Sequence, residues 1–403
     1  MKQMAEKKVK AKSKKTKSKK VSALLSSENL HTKCRPSTLA DYVGQEDIAK
    51  IVQGWFKRGR VPSTICITGT TGCGKTTLAR ILARMINCET HSACGKCRSC
   101  KAYTGDGHQD VTEANMGKFG KVEDTRTLID TINFMPYYNK RIFILDEVHL
   151  MSKAAASALL IPLEEPPEHT IWILCTTDPE KLLDTVRNRC TTLAVKPIDP
   201  IVMAKRLFQI TKGEGIKPKG EKSEKAMKGA MTMIANYSEG QMRKGISILD
   251  QVLGNVSDGA KFTKSLVEET YASSGEANSD QAAVDTLASV LAMDLHKLIS
   301  TLRSSDGIRQ LVNKLIWLLD WVIGNVTKTN KYAPAIGKMF IASQKKEKFT
   351  YNLLMLLQLQ DTLCKAVMRF NTIGINERII LEGMLARAIK VDYDFANKED
   401  NDE

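Results

Sequence analysis

The stretch that most limits what this chain can become is Gly69-Thr70-Thr71-Gly72-Cys73-Gly74-Lys75-Thr76-Thr77, directly after the apolar run Thr64-Ile-Cys-Ile-Thr68. It predicts a buried strand that ends in a phosphate-binding loop and runs into a helix. The reasons are local. Glycines let the loop curl until successive backbone N–H groups face one anion, and the helix N-terminus adds its partial positive charge. Lys75 is placed to neutralise β- and γ-phosphate oxygens, and the Thr76 hydroxyl to sit on Mg²⁺.

A second apolar run, Arg141-Ile-Phe-Ile-Leu-Asp-Glu-Val-His149, ends in two acids. Asp146 at the carboxyl edge of such a strand would join the Mg²⁺ shell, and Glu147 would polarise an attacking water. Further strands are expected near Asp110–Ala114, Thr170–Thr177 and Thr192–Val195. Helices are expected at 46–58, from the loop to Met85, at 122–134, 152–165 and 182–188. Strands alternating with helices give a parallel α/β sheet with the nucleotide at the strands' carboxyl ends.

Between these motifs lie Cys88, Cys94, Cys97 and Cys100. Thiolates two residues apart in tight turns face one ion, and four of them complete a tetrahedral Zn²⁺ shell. A closed tetrathiolate shell is structural and not catalytic. His91 is a possible substitute ligand that four thiolates do not need.

The chain has 403 residues, enough for two or three domains, and its 42% apolar content supplies real cores. Its net charge of +15 is uneven. Residues 1–20 hold ten Lys and one Glu, a net +9, while Asp392 to Glu403 carry six acids and one Lys. Both ends read as solvated, disordered tails, and the basic balance suits an anionic partner. No run of 18 apolar residues and no secretory leader is present, so the expectation is a cytoplasmic protein with no membrane partner. Ten cysteines in that setting are not a disulfide framework.

Pro197-Ile-Asp-Pro200 marks a boundary. Beyond it, Ile201–Gly215, Glu224–Tyr237 and Ser238–Val252 read as amphipathic helices, the last with Arg243 in its first turn. Gln281–Asp294, Ile308–Asn325, Asn352–Phe370 and Asn376–Ile389 then read as long helices with almost no strand signal.

Arg35-Pro36, Val43-Gly44-Gln45, the loop Gly69 to Thr77, the four cysteines, Val122-Glu-Asp-Thr-Arg126, Asp146-Glu-Val-His149, Leu163-Glu-Glu-Pro-Pro167, Thr176-Thr-Asp-Pro179 and Asn188-Arg-Cys190 occur in one order. Together they resemble the gamma/tau family of AAA+ motor subunits from bacterial DNA polymerase III clamp loaders. The likeness is dense over about 28–255 and only architectural over 276–390. After a Lys-rich tail at 1–22, it implies an AAA+ nucleotide-binding domain at 23–196 with its zinc module at 88–100. A helical lid would follow at 197–257, a linker at 258–276, an α-helical collar at 277–390 and an acidic tail at 391–403.

The resemblance also implies ATP, Mg²⁺ and structural Zn²⁺. Pro36 and Val43 would lie in the arm that wraps the adenine. Thr177 would sense the γ-phosphate, Arg243 would link the lid to the nucleotide, and Arg189 would act in trans on a neighbouring subunit's ATP. The implied partners are other loader subunits in a pentameric ring, a sliding clamp and primer–template DNA, with the replication machinery at the nucleoid. The implied work is ATP-driven clamp loading; the alternatives are an ATP-binding assembly subunit without turnover, or another AAA+ DNA remodeller such as a branch-migration helicase. Three features depart from the family pattern: Asn188 before Arg189, Ile161-Pro162 where Lys-Thr is usual, and the Lys-rich tail. They fit a divergent member, of host or phage origin. Proline at 162 would kink its helix and alter any DNA contact there.

Overall fold

The computed structural model describes residues 29–387 apart from 104–106, 217, 219, 256–261, 274, 306, 328–334, 348–350, 352 and 371–376. Both charged tails lie outside the described residues. The chain divides between Lys196 and Pro197 into two compact units.

The first unit is built on a sheet of β1 (Thr64–Thr68), β2 (Val111–Asn115), β3 (Arg141–Asp146), β4 (Thr170–Thr176) and β5 (Thr191–Ala194). The order across the sheet is β2-β3-β4-β1-β5, and every pairing is parallel. The three inner strands β1, β3 and β4 are buried on both faces because helices cover both, whereas the edge strands β2 and β5 are largely exposed. Alternate residues go to opposite cores. Ile65, Ile67, Ile142, Ile144, Ile171 and Ile173 pack with α1 (Glu46–Lys57) and α2 (Lys75–Asn87). Cys66, Phe143, Leu145, Trp172 and Leu174 pack on the other face with Leu128 and Ile129 of α3 (Val122–Asp130) and Leu159. Phe143 and Trp172 stack there at 4.6 Å.

Two of the expected helices are shorter. The one predicted over 122–134 ends at Asp130, because the Ile132 carbonyl leaves the helix to accept the Thr170 hydroxyl at 3.2 Å and bond His169 Nε2 at 3.1 Å. The one predicted over 152–165 is split into α4 (Lys153–Ala158) and α5 (Leu160–Glu164) at Leu159. Pro162 has no N–H to offer the Ala158 carbonyl, so the turn cannot continue unbroken. A short α6 (Asp184–Arg187) leads into β5.

The second unit is helical throughout its described residues. It begins with α7 (Pro200–Gly213), α8 (Glu221–Tyr237) and α9 (Met242–Asn255), which bury Met203, Leu207, Met231, Ile234, Leu249 and Val252. The third helix starts at Met242 and not at Ser238, since Glu239 and Gly240 take left-handed φ of 52° and 78° in the preceding turn. Part of the stretch expected as a linker over 258–276 is instead α10 (Lys264–Ala272), and α11 (Gly275–Leu291) starts just after it. Tyr271 of α10 stacks on Tyr237 at 4.0 Å and donates its hydroxyl to the buried Asp280 at 2.7 Å. Asp280 is also paired with Lys314 of α13 (Ile308–Val326). The helix expected to end at Asp294 stops at Leu291, and Asp294 instead caps α12 (Leu295–Ser304) by accepting the Lys297 N–H at 2.9 Å. With α14 (Ala335–Glu347) and α15 (Leu353–Arg369), these helices enclose an aliphatic core that includes Leu287, Val312, Leu318, Leu356 and Leu363. No helix among the described residues is long and apolar enough to cross a membrane.

Candidate nucleotide site

β1 delivers the loop at its carboxyl end. Gly69 has φ of 144°, and a Cβ there would meet the Val195 carbonyl oxygen at 2.4 Å. Only glycine lets the loop leave the strand so close to the end of β5. Gly72 and Gly74 also take positive φ, at 77° and 107°. Cys73 is folded under the loop with its thiol on the Thr70 carbonyl at 2.8 Å, and burial pushes that thiol up. Lys75 opens α2; its side chain is buried and its Nζ bonds the Thr70 carbonyl at 3.2 Å. Thr70 and Thr71 form the exposed rim of the loop, and Thr77 is half-buried.

The Thr76 hydroxyl donates to Asp146 at 2.8 Å. That spacing fits two neighbouring oxygens of an octahedral Mg²⁺ shell, which lie about 2.8–3.0 Å apart when each is about 2.0–2.1 Å from the metal. The strand carrying the loop and the strand carrying Asp146 are not neighbours; β4 lies between them. Thr176 and Thr177 therefore stand at the edge between the loop and the acids. Glu147 adopts left-handed backbone, φ 55° and ψ 43°. Such geometry is costly away from glycine and concentrates at functional sites. Its carboxylate lies 3.5 Å from His149 Nδ1.

The arm before α1 is anchored on both sides of Val43. Tyr42 donates its hydroxyl to the Gly74 carbonyl at 3.2 Å, and Gln45 exchanges two hydrogen bonds with the Lys196 backbone at 2.6 and 3.1 Å. Pro36 is half-buried earlier in the same arm. The sequence reading had singled out Val43, but Tyr42 makes the contact to the loop.

Residues 44–199 match the family described as DNA polymerase III, delta subunit. The tau subunit of DNA polymerase III from Escherichia coli K12 is 35% identical over 60% of this chain and 37% of its own length. The gamma/tau subunit of Mycobacterium tuberculosis H37Rv is 36% identical over 57% of this chain and 39% of its own, and the Bacillus subtilis tau subunit 33% over 60% and 42%. By sequence, this part of the chain is similar to the DNA polymerase III tau/gamma subunits. The matches span about two-fifths of the length of these relatives. Among solved structures, the RuvB Holliday junction branch migration motor of Thermotoga maritima aligns at a TM-score of 0.47 and 18% identity, over 70% of this chain and 85% of that one.

The four cysteines come together as a separate centre. Their Sγ atoms all lie within 4.8 Å of one another. A Zn²⁺ with bonds of about 2.3 Å holds its sulfurs about 3.8 Å apart, so the set fits a tetrathiolate shell. Backbone donors already face the sulfurs: Cys94 N–H to Cys88, Lys96 and Cys97 N–H to Cys94, and Cys100 N–H to Cys97, each at 3.4 Å. Burial raises the Cys88 thiol, but the N–H groups around it outweigh that and bring it down; burial holds Cys100 up. His91 is outside the set, stacked on Phe56 and bonded to the Met85 carbonyl at 3.2 Å.

Arg189 is held on the surface of the unit. Its guanidinium pairs with Glu164 of α5 at 2.7 Å and donates to the Thr185 carbonyl at 2.7 Å. Arg243 is an exposed residue in the first turn of α9, in the second unit. Sequence reasoning missed His149, whose ring contacts both threonines at the end of β4. A histidine closing the Asp-Glu-Val-His run was the available signal.

Proposed function

We propose that this chain is an ATP-hydrolysing motor subunit of a sliding-clamp loader. The observation that carries the reading is the meeting of Thr76 and Asp146 beneath a glycine-shaped loop in a chain akin to tau/gamma subunits. The loop N–H groups and Lys75 bind the phosphates of ATP. Thr76 and Asp146 hold Mg²⁺, which when bound spreads the charge of the β- and γ-phosphates. Glu147 orients and deprotonates the attacking water, and Thr177 reads the γ-phosphate. The arm with Pro36 and Val43 borders the base, and Arg243 reports the nucleotide to the second unit. Cys88, Cys94, Cys97 and Cys100 hold a structural Zn²⁺ away from the chemistry. Residues 197–257 act as the lid and the helices from 277 onward as a collar that assembles the ring with other loader subunits. The clamp and primer–template DNA are the ring's partners in the cytoplasm.

Arg189 serves the ATP of a neighbouring subunit. The Glu164 carboxylate supports its guanidinium at the surface, where a second chain can reach it. Arg189→Ala is expected to leave ATP binding near normal and to cut clamp- and DNA-stimulated hydrolysis at least about a hundredfold, since an arginine in this role contributes about 10³–10⁵. Lys75→Ala weakens binding itself. The two variants, inactive separately, are then mixed. Partial recovery supports an interface that joins an intact loop to an intact arginine. No recovery in preparations shown to contain mixed assemblies removes that role for pairs of this chain. Single-turnover hydrolysis with Glu147→Gln as control separates a motor from a subunit that only binds ATP.

A further inference from the structure

His149 sits between the two groups on which the proposed hydrolysis depends. Its side chain is only 8% exposed. On the Nδ1 side lie the Thr176 hydroxyl at 3.2 Å and Glu147 Oε2 at 3.5 Å. On the Nε2 side lie the Thr177 hydroxyl at 3.4 Å and Asp178 Oδ2 at 3.7 Å, and Asp178 Oδ2 is also a second acceptor for that hydroxyl at 3.5 Å. Each ring nitrogen thus faces one hydroxyl and one carboxylate. A carboxylate only accepts, and a neutral imidazole has one donor and one acceptor nitrogen.

For the neutral ring, this surrounding allows two arrangements. In one, Nδ1–H donates to Glu147 and Nε2 accepts the Thr177 hydroxyl. In the other, Nε2–H faces Thr177 and Asp178, and Nδ1 accepts the Thr176 hydroxyl. Thr176 is prepared for the second, because its oxygen already accepts the Asp178 N–H at 3.0 Å and its proton is left to donate. At 3.4 and 3.5 Å, the contacts to Thr177 and Glu147 sit at the long end of hydrogen bonding, as suits a ring that alternates between partners.

We propose that His149 is a positioning residue that relays the state of Thr177 to Glu147 by exchanging these two tautomers. The proposal rests on the ATPase reading above. Without ATP, the Thr177 hydroxyl donates to Nε2, so the ring proton stays on Nδ1 and holds the Glu147 carboxylate. When a γ-phosphate takes the Thr177 proton as a hydrogen bond, Nε2 loses its donor and the second tautomer is favoured. Glu147 is then released to orient water. The exchange gives one proton from Nδ1 to water and takes one from water onto Nε2, so charge and proton count are unchanged. Water reaches the ring's neighbours because Glu147 and Asp178 are 30% and 46% exposed. The device couples the ends of β3 and β4 and delays hydrolysis until the γ-phosphate is seated.

The test labels histidine rings with ¹⁵N in the full chain, because protonated and unprotonated ring nitrogens have well-separated shifts. The His149 signal is the one missing from His149→Gln. The expected result is a proton on Nδ1 without nucleotide, and on Nε2 with Mg²⁺ and a saturating non-hydrolysable ATP analogue. ADP should leave the first pattern, and Thr177→Val should abolish the response at saturating analogue. A fixed tautomer with the analogue bound, or the same change with ADP, overturns the relay. A second measurement is single-turnover hydrolysis. His149→Asn keeps a polar group at the Nδ1 position and His149→Gln one at the Nε2 position, and neither spans both. Each should slow hydrolysis at least about tenfold while changing analogue affinity by less than about twofold. Adding Thr177→Val to His149→Asn should cost nothing beyond the slower single variant; multiplied losses overturn the coupling. If wild type hydrolyses ATP with a fixed tautomer, the relay alone fails. If it binds the analogue but never hydrolyses ATP, the ATPase reading fails and the relay with it.

Discussion

The carboxyl edge of the sheet and the four-cysteine centre belong to one unit and use the same raw material, backbone N–H groups gathered by tight turns. In the cysteine centre the donors are already aimed at sulfurs of the same short segment. At the sheet edge the side chains are satisfied by stand-ins: Lys75 by a loop carbonyl, Thr76 by Asp146. A centre that satisfies itself stabilises the fold, whereas an edge whose partners can be exchanged is ready for a ligand. Substitutions should therefore cost stability in one region and turnover in the other.

The sharpest probe of that contrast is Glu147→Gln. It removes the proposed base and keeps the shape, so turnover should fall by about 10²–10⁴, with ATP binding and the melting temperature nearly unchanged. Unfolding of this variant would erase the distinction.

Next in size is the cysteine centre. Purified chain should contain about one Zn²⁺. Cys97→Ser should lower stability by about 2 kcal/mol or more, or about 4–8 °C in melting temperature for a unit of this size. Turnover per folded molecule should stay close to wild type. A metal-free chain of full stability would break the comparison from the other side.

A smaller effect comes from His108, which ties the cysteine centre to the sheet. Its ring stacks on Tyr103 at 4.4 Å and lies tilted against Tyr138 at 4.9 Å, with Nε2 on the Ser99 hydroxyl and Nδ1 accepting the Asp110 N–H. Burial holds its pKa below the ordinary histidine value, against the pull of Asp110. The folded chain thus binds this proton less readily than the unfolded one. Its share of stability is intact above about pH 6.5 and is lost as pH falls from there toward the lowered folded value, by at most about 1.4 kcal/mol per pH unit. Denaturant titrations at several pH values should show the slope, and His108→Gln should flatten it.

The smallest change is expected at Arg80–Glu113, a two-pronged pair at 2.6 and 2.7 Å that is about 42% and 33% exposed. Arg80→Met should cost about 0.2–1 kcal/mol, less in high salt.

Much of the first unit was legible because its signals are local. Four fully apolar or nearly apolar runs became β1, β3, β4 and β5 within a residue or two. The second unit was legible as helix but less so in its boundaries. Asp294 reads as the end of one amphipathic run, yet it caps the next, and α10 occupies a stretch with too little periodicity to stand out. Pro162 was readable as a kink because its missing N–H acts on its own helix.

What the sequence determined by itself is whatever one contiguous segment can specify. A glycine-shaped loop before a helix, four cysteines in tight turns and the two-unit boundary near Pro197 all depend on neighbours a few residues away. Only the tertiary structure decided the rest. Asp110, buried, accepts the N–H groups of Tyr137 and Tyr138 at 2.7 Å. Arg189 rests on Glu164, and His149 stands between Glu147 and the threonines of β4. These contacts join residues from separate elements, and no periodicity encodes them. The first depends on β2 lying beside β3 and the last on β4 lying beside β3, a strand order that only the whole sheet fixes.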